Sequence, residues 1–215
     1  MLLLAALLAL AAPAAASAAE LTLDEPAETR FGDTTELTGT LKDPAGAPMA
    51  GAAVTLVGRR YPFDGEYRRL ATATTDAAGA FRFEREFERN WQVRVTMGED
   101  RSPTRRAYVF PRFRLSFDAR SPRVIRLTQR YRVPHGVELT RPTQFYVGRR
   151  GRPTAPLAAT TDVRRVASGR FVANAVVRIP AAWDGRFRYA SCFRYTIGSG
   201  MGDPKARCPA RFRFE

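Results

Sequence analysis

Two short stretches decide the fold class of this 215-residue chain: GAPMAGAAVTL at positions 46–56 and ATTDAAGAFRF at 73–83. In the first, glycine and proline form a turn, and Val54 and Leu56 then alternate with other residues as in a short strand. In the second, residues 76–79 have the composition of a four-residue turn, and two phenylalanines on either side of an arginine continue as a strand. This order of turns and strands predicts antiparallel β-structure.

The same short-range alternation continues through residues 20–112. Leu37 and Leu41 alternate with polar residues, as do Val93 and Val95, and Gly, Pro or Asp residues separate the runs. Helical periodicity is absent after the N-terminal segment. Six or seven short strands at regular spacing are the signature of a β-sandwich, so we predict an all-β fold.

The turn and core positions of these strands resemble those of a known family. The pattern G-x-P-x-x-G-A-x-V-x-L followed by T-T-D-x-x-G-x-F-x-F is similar to carboxypeptidase-regulatory-like and related bacterial Ig-like domains, which are transthyretin-like β-sandwiches of exported proteins. The resemblance covers about residues 30–112 and implies no catalytic residue. It implies turn and core roles for Gly51, Val54, Leu56, Thr75, Asp76, Gly79 and Phe81. The chain departs from the pattern in an insert at residues 61–67.

Residues 1–19 predict a cleaved signal peptide. An apolar run at 2–12 is followed by Pro13 and small residues that fit an A-x-A cleavage rule. The run is shorter than the about 20 residues of a membrane-spanning helix. We therefore expect no membrane span in the mature chain and a protein that is secreted, periplasmic or held at the cell surface.

Cys192 and Cys208 are the only cysteines of the chain. In an oxidising compartment only one intramolecular pairing is available to them, so we predict a disulfide. A two-cysteine metal site would need histidine or carboxylate ligands nearby, and a catalytic cysteine would need His135 as its base.

Positive charge is concentrated in the second half of the chain. The formal net charge is +14; residues 20–112 hold 14 basic and 15 acidic side chains, whereas residues 113–215 hold 21 basic and 6 acidic ones. This asymmetry predicts a domain boundary within 111–121, which separates a domain at 20–112 from a basic domain at 113–215. It also indicates an anionic partner.

In the basic half, arginine alternates with apolar residues along each predicted strand. Period-two alternation places the apolar set, which includes Phe113 and Phe117, in the core and the arginines outside. A second β-sandwich is therefore predicted, with Cys192 on its arginine side. The candidate anion-binding residues are Arg126, Arg130, Arg132, Arg186, Arg188 and Arg194. This half also resembles, loosely, uncharacterised exported actinobacterial proteins, and that resemblance implies no activity.

Two interpretations of the arginines fit the sequence. They are either a solvated outer face or a binding face for anionic envelope polymers, acidic polysaccharide or lipid head groups, since the planar guanidinium meets phosphate or carboxylate with two parallel hydrogen bonds. Nucleic acid would satisfy the same electrostatics, but the sequence has no nucleic-acid-binding motif and export makes a specific nucleic-acid partner unexpected.

An enzyme is the weaker hypothesis. His135, the only histidine, lies between Pro134 and Gly136 in a predicted turn, and no metalloprotease, hydrolase or multi-cysteine metal motif occurs. We expect no catalysis, no cofactor and no metal. Asp76 is interpreted as a turn residue rather than a calcium ligand, and the glycine-rich run at 198–203 as a flexible cap rather than a phosphate loop.

The sequence as a whole predicts an exported, non-catalytic binding or structural module of the cell envelope or extracellular space. It is built from two Ig-like or transthyretin-like β-sandwiches. The alternative is a carbohydrate-binding accessory protein whose site is formed by exposed aromatic rings of the first domain. Those rings belong to Tyr61, Phe63, Tyr67 and Trp91. The oligomeric state is not predicted.

Overall fold

The computed structural model describes residues 19–183, 186–193, 199–203, 205 and 207–214. These residues form β-strands, turns and one 3₁₀ turn at Ala181–Trp183, so the predicted all-β sandwich class is confirmed. In this part of the chain no helix has the length and apolar character needed to cross a membrane. The predicted signal peptide lies outside the described residues except for Ala19.

Ten strands precede Pro111 and form the first half of the molecule. They are β1 (Glu20–Leu21), β2 (Thr29–Arg30), β3 (Thr34–Lys42), β4 (Ala53–Arg60), β5 (Arg68–Thr74), β6 (Ala80–Glu86), β7 (Trp91–Met97), β8 (Asp100–Arg101), β9 (Arg105–Ala107) and β10 (Val109–Phe110). One sheet has the order β1-β3-β6, another the order β5-β4-β7-β8 with β9 also paired to β7, and β10 pairs in parallel with β2. The core between the two larger sheets includes Leu37, Phe81, Val54 and Val95, all buried as their alternation predicts.

The turn at residues 76–79 has the chemistry that its sequence predicts. The Asp76 carboxylate accepts hydrogen bonds from the backbone N–H groups of Ala78 and Ala80, at 2.8 and 2.9 Å. Gly79 has φ of +73°, and a Cβ there would lie 2.4 Å from the carbonyl oxygen of Leu41, so only glycine fits this turn. These hydrogen bonds give Asp76 the structural role in the turn that the sequence predicts.

Eight strands follow Pro111. They are β11 (Arg112–Ser121), β12 (Val124–Arg132), β13 (Thr143–Arg149), β14 (Thr154–Thr161), β15 (Arg164–Ala167), β16 (Arg170–Arg178), β17 (Phe187–Phe193) and β18 (Arg211–Arg213). One sheet has the order β11-β12-β16-β15, and the other has the order β17-β13-β14-β18. Leu127, Phe145, Val147 and Ala173 pack between the two sheets.

One expectation about this core is wrong. Phe113 and Phe117 share the inner face of their sheet with Tyr131 and Leu127, their cross-strand partners, but they are 43% and 49% exposed. The reason is their position: β11 is the edge strand, and the opposite sheet does not cover it fully. Phe117 contacts only the margin of that sheet, with its ring 5.1 Å from the ring of Tyr189.

Cys192 and Cys208 form the predicted disulfide, with Cα atoms 5.6 Å apart. Cys192 pairs with Gln144 across β17 and β13, and it packs in a small cluster outside the main core together with Tyr146, Ala190 and Phe212. Cys192 therefore points to the outer side of its sheet, as the alternation predicted.

The glycine-rich segment corrects another expectation, because its described part, residues 199–203, is not a free cap. Met201 is buried in the first half's core. The Asn90 side-chain amide donates to the carbonyl oxygen of Gly202 at 2.7 Å, and the Gly202 N–H donates to Val109 at 2.7 Å. The segment beside the disulfide thus docks onto the first half.

Each sheet of the described chain takes its strands from one side of Pro111. A single cluster of buried side chains nevertheless crosses this point, since Tyr131, Val133, Phe171 and Met201 pack with residues of the first half. The division into domains at 20–112 and 113–215 remains a prediction.

Candidate anion-binding site

Three of the six candidate arginines lie side by side on β12. Arg126, Arg130 and Arg132 are exposed, whereas Leu127 and Tyr131, at intervening positions, are buried. The three guanidinium groups therefore belong to the outer face of the β11-β12-β16-β15 sheet, as period-two alternation requires.

Strand register adds further arginines to this face. Arg132 lies directly opposite Arg112 on β11 and Arg170 on β16. One step along the same face, Arg130 lies opposite Arg114, which also belongs to β11. We call these five residues, Arg112, Arg114, Arg130, Arg132 and Arg170, the arginine block.

The arginine block is the floor of an open groove of about 1250 Å³. The groove extends to residues of the first half, Arg30 and Asp33, at one end. Its lining holds two carboxylates, Asp33 and Asp118, and nine arginines: Arg30, Arg112, Arg114, Arg120, Arg126, Arg130, Arg132, Arg164 and Arg170.

Few of these positive charges are neutralised within the protein. Arg112 forms an ion pair with Asp33, and Arg120 with Asp118 at 3.2 Å. Among the described residues, no carboxylate forms an ion pair with the other seven arginines of the groove. Because like charges directly opposite on neighbouring strands repel each other, we expect the arginine block to destabilise the sheet that carries it.

Next to the arginine block, the sheet presents uncharged hydrogen-bonding groups. Ser116, Thr128 and Asn174 lie opposite one another in register on β11, β12 and β16. The Thr128 hydroxyl donates to the Asn174 side chain at 2.9 Å, and Arg130 donates to the Ser116 hydroxyl at 3.3 Å. This neutral row thus separates the arginine block from Asp118 and Arg126, which lie opposite each other two residues farther along the groove.

Tyr131 lies between Arg130 and Arg132 but points into the core. Burial raises the pKa of Tyr131 above its usual range, although its hydrogen bond with Thr143 lowers that pKa in part. Its hydroxyl therefore stays neutral, and the charges on this strand are those of the arginines alone.

The other candidate arginines do not join this groove. Arg188 belongs to β17 in the opposite sheet, where its guanidinium lies 5.4 Å from the centre of the Phe214 ring. Arg186 precedes the same strand and is exposed, and Arg194 lies outside the described residues. The five described residues of the predicted set thus do not form one site, and the structure gathers only Arg126, Arg130 and Arg132, with partners outside the predicted set.

Those partners were missed for a physical reason. Arg112, Arg114 and Arg170 alternate with apolar residues just as the predicted residues do, but their proximity depends on strand order, which alternation does not encode. Arg30 and Asp33 belong to the first half, and no local signal relates them to β11.

The aromatic alternative lacks the exposed row of rings that it requires. Trp91 is buried, and Arg68 lies 4.8 Å from the centre of its ring. Tyr61, Phe63 and Tyr67 are partly buried, and Arg94 lies 4.0 Å from the centre of the Tyr67 ring. Cations therefore occupy ring faces that a sugar would need.

No protein-family model and no curated protein matches this chain. Solved structures with a similar arrangement include trypsin-activated α2-macroglobulin of Escherichia coli, with 14% identity over 84% of this chain and 15% of that chain and a TM-score of 0.35. They also include invasin, a bacterial integrin-binding protein, with 13% identity over 82% of this chain and 39% of that chain and a TM-score of 0.37.

The elastase-activated form of E. coli α2-macroglobulin is similar with 12% identity over 83% of this chain and 19% of that chain and a TM-score of 0.34. The chain thus spans well under half the length of each of these three proteins. Similarity at this level does not indicate a shared ligand or activity.

Proposed function

We propose that this protein is an exported, non-catalytic binding module that holds an anionic polymer of the cell envelope or extracellular space in the arginine groove. One observation carries the proposal: nine arginines and only two carboxylates line one groove of about 1250 Å³. A solvated outer face needs charge, but it does not need arginines placed directly opposite one another.

Export is supported by two features. The N-terminal residues fit a signal peptide, and the Cys192–Cys208 disulfide is of the kind that forms and persists in oxidising compartments. In such a compartment, envelope polymers and acidic polysaccharides are the abundant polyanions, whereas nucleic acid is an incidental partner.

The absence of catalysis is part of the same proposal. The polar groups of the groove are mostly guanidinium groups, which keep their proton at all physiological pH values and so serve neither as bases nor as acids. The two carboxylates, Asp33 and Asp118, are each engaged by an arginine. His135 is exposed in a turn and does not line the groove.

We further propose that residues 30–112 are a carboxypeptidase-regulatory-like domain. Gly51 and Gly79 have the positive φ that its turns require, and Thr75 is buried, with its hydroxyl donating to Met49 at 2.6 Å. In this interpretation the first half braces the groove through Arg30 and Asp33.

Co-sedimentation of the chain from Glu20 onward with an insoluble anionic polymer, such as cross-linked polygalacturonate or isolated envelope, tests the proposal. Binding should weaken steeply between about 0.05 and 0.2 M salt, because counterions are released when a polyanion binds. The triple change Arg126→Gln, Arg130→Gln, Arg132→Gln should reduce retention at least tenfold. Binding that ignores salt contradicts the proposal.

A matched control removes the same charge elsewhere. Arg149, Arg150 and Arg152 are exposed around the turn between β13 and β14, and none of them lines the groove. Changing these three to Gln should lower retention less than twofold. Equal losses in the two triple variants would mean that net charge, and not the groove, holds the polymer.

A further inference from the structure

The arginine block has a high density of positive charge, which restricts the kinds of anion that can neutralise it. Neighbouring strands bring opposed Cβ atoms to about 4.5–5.5 Å, and two residues along a strand span about 7 Å. Arg112, Arg132 and Arg170 therefore form one row across three strands, and Arg114 and Arg130 lie in the adjacent row. Five guanidinium groups are rooted in an area of roughly 10 by 7 Å.

Only one of these five charges has a carboxylate partner among the described residues, because Asp33 pairs with Arg112. The other four members of the block have no carboxylate partner among the described residues, so we expect an external anion to neutralise them. They are Arg114, Arg130, Arg132 and Arg170.

Carboxylates spaced along a sugar chain meet this demand poorly. A carboxylate brings one charge and two oxygens, and a single arginine fork satisfies both oxygens. A terminal phosphate group brings a charge of about −1.5 to −2 and three acceptor oxygens, so forks from two neighbouring strands can bind it together. The close spacing of the block thus matches closely spaced phosphates better than evenly spaced carboxylates.

The neutral part of the groove extends this argument. Ser116, Thr128 and Asn174 follow the block on the same face and offer hydroxyl and amide groups. Groups of this kind bind the hydroxyls of a sugar or polyol through hydrogen bonds, without charge. A ligand with clustered phosphates at one end and hydroxyl groups beside them would match both parts of the groove.

We propose that the arginine block binds a compact group of two or more phosphates on its ligand, with the hydroxyl-bearing part of that ligand over Ser116, Thr128 and Asn174. This inference rests on the proposed function and specifies its ligand class. Calorimetric titration of the chain from Glu20 onward with inorganic tripolyphosphate tests it, against a pentamer of galacturonate that carries a similar total charge. At the same ionic strength, tripolyphosphate should bind at least tenfold more tightly.

A charge-conserving variant separates the fork geometry from the charge. Arg130→Lys with Arg132→Lys keeps both charges but removes the planar fork. It should weaken tripolyphosphate binding about tenfold and galacturonate binding less than twofold. Arg149→Lys with Arg150→Lys, outside the groove, should change neither.

The outcomes separate the two proposals. If the galacturonate pentamer binds as tightly as tripolyphosphate and the groove variants weaken both, the phosphate inference is overturned and the polymer-binding function stands. If neither probe binds and polygalacturonate is not retained, both are overturned. Vesicles with phosphatidic acid form a separate arm: sedimentation with them that tripolyphosphate inhibits identifies a lipid as the phosphate carrier, and no sedimentation excludes this lipid as the carrier.

Discussion

The two outer faces of the second sandwich arise from the same alternating sequence pattern, but one face is exposed and the other is buried. On β12 the outward residues are arginines that remain exposed in an open groove. On β13 and β17 the outward residues include Tyr146 and Ala190, which are buried beneath Phe212 and the disulfide. The difference arises because Phe212 and Phe214 of the C-terminal segment pack on this face, where the Tyr146 hydroxyl also donates a hydrogen bond to the carbonyl oxygen of Pro209.

This comparison shows where binding and stability reside in the same domain. The covered face resembles a small hydrophobic core, because apolar side chains pack on it and the disulfide links two of its segments. On the open face, Arg112 and Arg120 form ion pairs, whereas the other seven arginines of the groove have no carboxylate partner among the described residues. Stability is thus expected to depend on the covered face, and anion binding on the open one.

The largest difference in the free energy of unfolding is expected between Tyr146, on the covered face, and Phe117, on the inner face of the edge strand β11. Tyr146 is fully buried, and its hydroxyl forms a hydrogen bond with Gln144 at 2.7 Å. Tyr146→Ala should lower the free energy of unfolding by about 4 kcal/mol, because it removes a buried ring and leaves a cavity. Phe117→Ala, at a 49% exposed edge position, should cost less than half of this.

Urea denaturation of the two variants measures both values. Equal losses would contradict the comparison, because they would show that the cover over Tyr146 contributes no more than the open edge at Phe117. A variant of Tyr146 that fails to fold altogether agrees with the expected direction, and Tyr146→Phe, which keeps the ring, then provides the measurable step of about 1 kcal/mol for the lost hydrogen bond.

The disulfide should have the next largest effect. Cys192→Ser and Cys208→Ser should each lower the free energy of unfolding by about 3 kcal/mol, since the bond closes a loop between residues 16 positions apart. The double variant should be no less stable than either single one. Tripolyphosphate binding should change less than twofold, because the bond lies on the covered face. Two reactive thiols in the exported wild-type protein would refute this prediction.

Local pattern was sufficient for the fold class and for the direction of most side chains. Val54, Leu56, Leu127 and Ala173 are buried where alternation placed them. The disulfide followed from a count, because two cysteines allow a single pairing. These are properties of short segments and of composition, and a single sequence contains them.

What the sequence did not reveal depends on contacts between distant segments. Phe113 has the alternation of a core residue, and only the place of β11 at a sheet edge leaves it exposed. Asn90 binds the Gly202 carbonyl across 112 positions of sequence, so nothing near residue 202 indicates that this segment is docked. The arginine groove could be predicted only in part. Alternation indicated that the arginines point outward, but the strand register, which alternation does not encode, makes five of them neighbours.

The smallest expected effect tests the open face in the absence of any ligand. Arg132 lies directly opposite both Arg112 and Arg170, and opposed like charges destabilise a sheet by up to about 1 kcal/mol. Arg132→Gln should therefore raise the melting temperature by about 1–2 °C at low salt. The gain should vanish near 1 M salt, where charges farther apart than about 3 Å are screened. Arg150→Gln, in a turn outside the groove, is the control and should leave the melting temperature unchanged.

The same Arg132 variant should bind tripolyphosphate more weakly, so a residue that costs stability would be retained for binding. A lower melting temperature for Arg132→Gln would mean that this side chain is part of the support of the sheet, and the open face would then differ less from the covered one than we infer.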